Sequence, residues 1–161
     1  MAVIADTHLP RGSRRLPEEC VRRLLAVDLI LHAGDHSSSA SLAELRALGP
    51  PVQAVYGNVD EPDLRNALPK QLVVEAAGIR IGLVHIPGPR VGREARLLAR
   101  FPGCAAIVYG HTHAPQVELH AGVWILNPGS PTERRRAPYA TMLELVIGGG
   151  KLEPELIALD P

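Results

Sequence analysis

The chain has 161 residues, long enough for one domain with a substantial core and too short for two ordinary ones. Its 17 basic and 17 acidic side chains cancel, and aromatic residues make up only 3%, so it offers a long nucleic acid neither an electrostatic track nor a stacking platform. No apolar stretch approaches the roughly 18 residues of a membrane span, and the opening MAVIAD lacks the basic and long apolar regions of a secretory leader, so a cytoplasmic protein with no membrane partner is expected.

In chain order, AVIA (Ala2 to Ala5) reads as a strand ending at Asp6, and EECVRRLLAV (Glu18 to Val27) as an amphipathic helix after Pro17. LILHAG (Leu29 to Gly34) is a second strand, ending at Asp35. A helix follows around Ser41 to Leu48, with serines before it suited to N-capping. VQAVYG (Val52 to Gly57) is a third strand, ending at Asn58. QLVVEAAG and IRIGLVH follow as strands divided at Gly78, the second ending at His85. GREARLLARF reads as a helix, and AAIVYG as a strand running into His111. From Pro115 the pattern changes to strands without helices between them: QVELH, VWILN, TMLELVI and KLEPELIAL. A helix-alternating half followed by a strand-rich half predicts two packed sheets flanked by helices, in one domain over 1–161. Cys20 and Cys104 have neither metal-ligand spacing nor secreted-scaffold density, and are expected as free core thiols, one in a helix and one in a strand.

The same kind of residue recurs where these strands stop. Asp6 and His8, Asp35, Asn58, His85, and His111 with His113 all fall at or just past a strand's C-terminal end. In layered α/β folds such ends gather on one rim, so the seven can converge. Carboxylates, an amide oxygen and imidazoles suit Zn, Mn or Fe, whereas Mg or Ca sites use oxygen almost exclusively. Seven ligands exceed the needs of one tetrahedral ion and suit two if one carboxylate bridges them. Taken singly, D-T-H, G-D and G-N-V-D are ordinary turns or caps. G-H-T-H is more specific, because side chains two apart on extended backbone share a face. The glycines of HAGDH, YGNVD and YGHTH are read as letting the backbone turn sharply off each strand. His32 is read as core, His120 as surface or strand, and His36 as a solvated loop residue, with a place beside the ligands as the alternative.

With these motifs in order, from ADTH through GD, GNVD, His85 and GHTH to NPGS (Asn127 to Ser130), the sequence resembles the calcineurin-like metallophosphoesterases, and within them the small YfcE-like phosphodiesterases. The resemblance covers essentially the whole chain. It implies a four-layer αββα sandwich of two mixed sheets flanked by helices. It implies also that Asp6, His8 and His113 hold one divalent ion, that Asn58, His85 and His111 hold the other, and that Asp35 bridges both. Mn is the first expectation, with Fe, Zn or Ni as alternatives. The implied reaction is hydrolysis of a small phosphodiester by a metal-bound hydroxide, with Asp35, Asn58 and His85 as the catalytic set and no protein nucleophile.

Two departures stand out. Many larger members carry a histidine directly after the asparagine, a proton donor to the leaving group, where this chain has Val59. His85 is followed by Ile86 and Pro87 before Gly88, where glycine often comes at once. Beyond NPGS, Arg134, Arg135 and Arg136 are candidates, with Asn58, for contact with substrate phosphate; a solvated turn is the plainer reading of each. The alternative function is an interaction scaffold of the same fold, resembling a retromer subunit, which has no need of seven ligands. A homo-oligomer is an open arrangement.

Overall fold

The apolar runs become short strands in the computed structural model, which describes residues 1–159. In chain order the elements are β1 (Ala2–Ile4), α1 (Glu18–Leu25), β2 (Ile30–His32), α2 (Ser39–Arg46), β3 (Val52–Ala54), α3 (Pro62–Ala67) and β4 (Gln71–Ala76). There follow β5 (Ile79–Val84), α4 (Arg93–Arg100), β6 (Ala106–Tyr109), β7 (Gln116–His120), β8 (Val123–Asn127), β9 (Ala140–Gly148) and β10 (Lys151–Leu159). They form two five-stranded sheets, ordered β10-β9-β1-β2-β3 and β4-β5-β6-β8-β7. Both sheets are mixed. β1, β2 and β3 are mutually parallel, as are β5, β6 and β8, while β4, β7, β9 and β10 are joined by antiparallel pairing.

Three apolar clusters account for the layering. Val3, Ala5 and Leu31 of the first sheet meet Ile81, Leu83 and Val108 of the second in a core between the sheets. Ala2, Ile4 and Ile30 point the other way, onto Cys20 and Leu24 of α1 and Leu45 of α2. On the far side, Ile107, Tyr109 and Ile125 pack on Leu97 of α4 and on Phe101. The alternation along β1 and β6 places apolar side chains on both faces, as strands covered on both sides require. Each fully buried Leu or Ile side chain contributes about 1.5–3 kcal/mol. The sequence expectation of two mixed sheets flanked by helices is met, and the four layers follow from these clusters.

Local differences have local causes. α3 was not anticipated: its six residues are too few for a periodic apolar stripe, and only Leu64 is buried. Its one sequence signal is Pro62 at the first helical position, where the missing N–H costs nothing. α1 ends at Leu25 rather than Val27. Cys104 lies just ahead of β6 rather than in it, and both cysteines are buried and unpaired. Pro154 sits on β10, a sheet edge, where a strand tolerates a residue without an N–H. Among the described residues no helix is long and apolar enough to cross a membrane.

Gly82, in β5 between β4 and β6, marks the closest approach of α4's end to the second sheet: a Cβ there would lie 2.6 Å from the Phe101 ring. Gly82→Ala is therefore expected to destabilise the fold by about 1–3 kcal/mol through overpacking. The cost should shrink when Phe101→Ala vacates the space, and thermal melts of the two single variants and the double variant measure that coupling.

Candidate metal centre

The parallel strands bring their C-terminal ends to one rim, and the seven candidate ligands stand there in two touching groups. In the first, His113 Nε2 lies 3.3 Å from Asp6 Oδ1 and 3.2 Å from His8 Nε2. In the second, His85 Nε2 lies 3.2 Å from Asp35 Oδ2 and 3.1 Å from Asn58 Oδ1, and His111 Nδ1 lies 2.8 Å from the same Asn58 oxygen. Asp35 joins the groups: its Oδ2 is 3.2 Å from His85 Nε2 and 3.8 Å from His8 Nε2. Its other oxygen accepts from the Val59 N–H at 3.0 Å, which fixes the carboxylate's rotation. Asp6, His8, Asp35, His85 and His113 are buried, His111 is half-buried and Asn58 is exposed, so the site opens to solvent on the Asn58 and His111 side.

The backbone that aims these side chains is unusual. Asp6, His8, Asp35, His111 and His113 all take positive φ, between 47° and 71°. Such angles are uncommon outside glycine, and the surroundings must over-determine each one. The geometry corrects the sequence expectation for G-H-T-H, which assumed an extended segment with both histidines on one face. With both residues left-handed the rings part, His113 to Asp6 and His8, His111 to Asn58.

The glycines do different work from one another. Gly34 has φ of 91°, a conformation glycine takes freely. Gly57 has no such angle; a Cβ there would fall 2.0 Å from Asp35 Oδ1. Gly110 likewise lies against Ala33's carbonyl and Asp6 Oδ2. Turning off the strand is thus a reason at Gly34 only, where a Cβ would in addition lie 2.8 Å from the His85 ring; room for Asp35 is the reason for Gly57, and room for the Ala33 carbonyl, Asp6 and His85 the reason for Gly110.

Hydrogen bonds outside the cluster settle which nitrogen faces inward. His85 Nδ1 donates to the Ala33 carbonyl at 2.8 Å and His113 Nδ1 to the Glu133 carbonyl at 2.5 Å, turning each Nε2 lone pair to the centre. Burial presses the His85 pKa down, but the hydrogen bond to Asp35 and the charges of Asp6 and Asp35 outweigh it, leaving it above its ordinary value. His113 is likewise pressed down by burial and raised overall by Asp6 and the Glu133 carbonyl. His8 is lowered by burial, which Asp35 and Asp6 offset only in part. Burial alone would raise Asp35, yet His85 and the Val59 N–H hold it below the usual carboxylate range. Acceptors that face one another at 3.2–3.3 Å need a proton or a cation between them. The oxygen and imidazole set, without thiolate, fits divalent transition ions. Asp6, His8 and His113, and separately Asp6, Asp35 and His85, each offer ligand atoms within 4.8 Å of one another.

Residues with no expected role brace this centre. Asp60, the acid of GNVD, is buried and accepts from the N–H groups of Ser37 and Gly57, both at 2.7 Å, locking the two loops together. Ser130 of NPGS donates to Asp6's carbonyl at 2.7 Å, and Asn127 Nδ2 donates to Gly110's carbonyl at 3.2 Å. Glu133 adds its backbone carbonyl at His113, while its carboxylate takes Arg14 at 3.0 Å. Nothing in the spacing of Glu133 distinguishes it in sequence; its role exists only once the last loop folds back.

His36 is a correction. Expected in a solvated loop, it is 1% exposed, with its ring stacked on His32 at 3.6 Å and its Nε2 donating to the Val55 carbonyl at 3.2 Å. The chain turns inward after Asp35, so the ring packs behind the ligands. Burial lowers both pKa values, His32 well below its ordinary one, and the pair is neutral packing. His32 is core, as expected, and His120 is exposed on β7. Arg134, Arg135 and Arg136 are all exposed; Arg134 donates to the Ala137 and Pro138 carbonyls within its own turn.

Residues 1–148 match the family model described as the calcineurin-like phosphoesterase superfamily domain. A probable metallophosphoesterase of Methanothermobacter thermautotrophicus is 36% identical, the match covering 98% of this chain and 91% of that one. Among solved structures, a Thermotoga maritima protein is 31% identical with a TM-score of 0.77, covering 98% of both chains. Vps29 of Entamoeba histolytica, solved with Zn2+, is 25% identical with a TM-score of 0.75, covering 99% of this chain and 98% of that one.

The Gly57 contact yields an expectation that alters no candidate ligand. In Gly57→Ala the new methyl pushes on Asp35, and the affinity for Mn2+ should fall by about 10- to 100-fold, as when an outer support of a metal site is lost. Calorimetric titration measures this, with circular dichroism confirming the fold.

Proposed function

Since the chain belongs to the calcineurin-like phosphoesterase superfamily, we propose that it is a binuclear-metal-dependent phosphodiesterase acting on small phosphodiesters, with residues 1–161 as its one domain. The observation that supports this reading is that Asp35 Oδ2 comes within 3.8 Å of His8 Nε2 and 3.2 Å of His85 Nε2, one from each ligand group. On this reading Asp6, His8 and His113 hold one ion, Asn58, His85 and His111 the other, and Asp35 both. Mn is the first candidate and Fe, Zn or Ni the alternatives; that the Entamoeba relative was solved with Zn2+ supports a divalent cation. Bound there, two such ions supply an activated water and offset charge on the phosphoryl oxygens.

The chain's own groups orient and enclose. The Val59 N–H holds Asp35 in one rotamer, and the Ala33 and Glu133 carbonyls hold two imidazoles in one tautomer. Asn58, exposed beside His111, is placed to touch substrate as well as metal. Arg134, Arg135 and Arg136 are the candidates for the substrate-phosphate contact, Arg134 being held in its own turn by the Ala137 and Pro138 carbonyls. A cavity of about 230 Å3 beside Asn58 and His85 accommodates one small ester arm. The buried, unpaired thiols suit a reducing, cytoplasmic compartment. The scaffold alternative draws on the likeness to Vps29. The complete ligand set favours the enzyme.

The test is diester hydrolysis by the Mn2+-loaded chain, abolished by chelation and restored by Mn2+. Metal analysis should find Asp35→Ala losing both ions and His111→Ala keeping most of the one held by Asp6, His8 and His113. Normal binding of two ions by Asp35→Ala would remove the bridge from this assignment.

A further expectation concerns proton supply to the leaving group. Val59 is 47% exposed and carries no proton to give, and His36 is walled off behind the ligands. A positioned general acid contributes about 10²- to 10⁴-fold and matters most for basic leaving groups. Aryl diesters should therefore be cleaved far faster than alkyl ones, with rate depending steeply on leaving-group pKa. Val59→His should speed alkyl substrates selectively and flatten that dependence, read as kcat/KM across a leaving-group series.

A further inference from the structure

The small cavity beside Asn58 and His85 also has Arg65, Lys70 and Ile86 in its wall. A second, of about 510 Å3, shares Lys70 and Ile86 with it and runs on past Pro87 and Pro89 to Arg96 and Arg100. The two together form one groove leading away from the metal centre. Its position is fixed by pairing: Gln71 of β4 lies opposite Val84 of β5, so the register continued by one step sets Lys70 beside His85. The Tyr56 N–H donates to the Pro69 carbonyl at 3.1 Å, tying the residue before Lys70 to the segment that carries Asn58.

The charge in this groove is one-sided. Arg65, Lys70, Arg96 and Arg100 line it and no carboxylate does, in a chain whose charges cancel overall. The guanidiniums bond neutral acceptors: Arg65 the carbonyls of Asn58 and Asp60, Arg96 those of Pro89 and Val91, Arg100 the amide oxygen of Gln71. They are thereby positioned, and their charge stays uncompensated. Among the described residues Lys70 makes no hydrogen bond or ion pair, so all three of its donors are available. The floor is largely apolar, since Ile86 is 43% exposed and Pro87 and Pro89 have no N–H.

We propose that this groove is a subsite for a second anion on the substrate: a phosphodiester with a further phosphate on one arm, the arm lying over Ile86 and the phosphate held by Lys70. Ile86 and Pro87, directly after His85, build the apolar floor. This rests on the hydrolytic reading above, and it adds what distinguishes one phosphodiester from another.

Two matched chromogenic substrates test it on the full Mn2+-loaded chain: thymidine 5′-(4-nitrophenyl phosphate), and the same compound bearing a 3′-phosphate. The 3′-phosphorylated diester should have a kcat/KM roughly tenfold higher, mainly through KM, as one charge-assisted contact provides. That ratio should fall toward one in Lys70→Gln and as salt rises, and persist in Lys151→Gln. A ratio near one in the unaltered chain, or a ratio that Lys70→Gln does not change, overturns the subsite. If neither diester is cleaved the hydrolytic reading fails separately, and binding decides the subsite. The chain has only two lysines, so reductive 13C-methylation, which keeps the charge, gives an assignable Lys70 signal. Thymidine 3′,5′-bisphosphate should shift that signal much more than thymidine 5′-monophosphate does, and equal small shifts overturn the proposal.

Discussion

Two buried carboxylates facing buried imidazoles are the constraint around which the rest of this molecule is arranged. Asp6 is fully buried and Asp35 nearly so, with histidine nitrogens at 3.2–3.9 Å and few other partners. Removing such charges from water costs several kcal/mol per ion unless opposite charge and hydrogen bonds answer it. The protein answers with backbone. The Val59 N–H meets Asp35, and the His111 N–H meets Asp6 at 2.9 Å. His111 itself takes a left-handed angle, so at Asp6 strain and electrostatic satisfaction meet in one residue, whereas the Val59 N–H reaches Asp35 from a segment without such angles.

Support for the loops comes in tiers. Asp60 pins the Asp35 and Asn58 loops to each other, and Ser130 and Asn127 pin the Asp6 and His111 loops from the other side. Behind them the stacked His32 and His36 rings fill space with neutral polar groups: His32 accepts from the Gly34 N–H at 3.1 Å and meets Thr7 Oγ1 at 3.0 Å. Thr7 lies between two ligands, so the packing of the first sheet's outer face bears on the geometry of the rim.

The strands and the gathering of the seven candidate residues at one rim were legible in the sequence because both follow from short-range rules. An apolar run flanked by Gly and Asp marks where a strand stops, and ligands at such stops share a rim once the strands are parallel. What was not legible depends on long-range contact. α3 has too few residues for a periodicity, and the direction of the His36 ring is set by the Val55 carbonyl just past β3, not by its neighbours in sequence. The purpose of Gly57 and Gly110 was likewise hidden, since a residue's need for room is a property of what packs against it. G-H-T-H was recognised and its conformation misjudged: a strand-like spacing was assumed where paired left-handed turns send the rings apart.

The span of the ligand set has a consequence for how the protein comes to be made. Asp6 is met by His113, more than a hundred positions later, and the Asp6 loop is closed by Ser130 later still. A chain emerging from the ribosome presents Asp6, His8 and Asp35 long before their partners exist, and contacts of such separation form late. The nascent chain can therefore hold no complete set of ligands until β6 has docked beside β5 and the loop after β8 has folded back. Only a chain whose two sheets have closed presents the full set of candidate ligands at one rim.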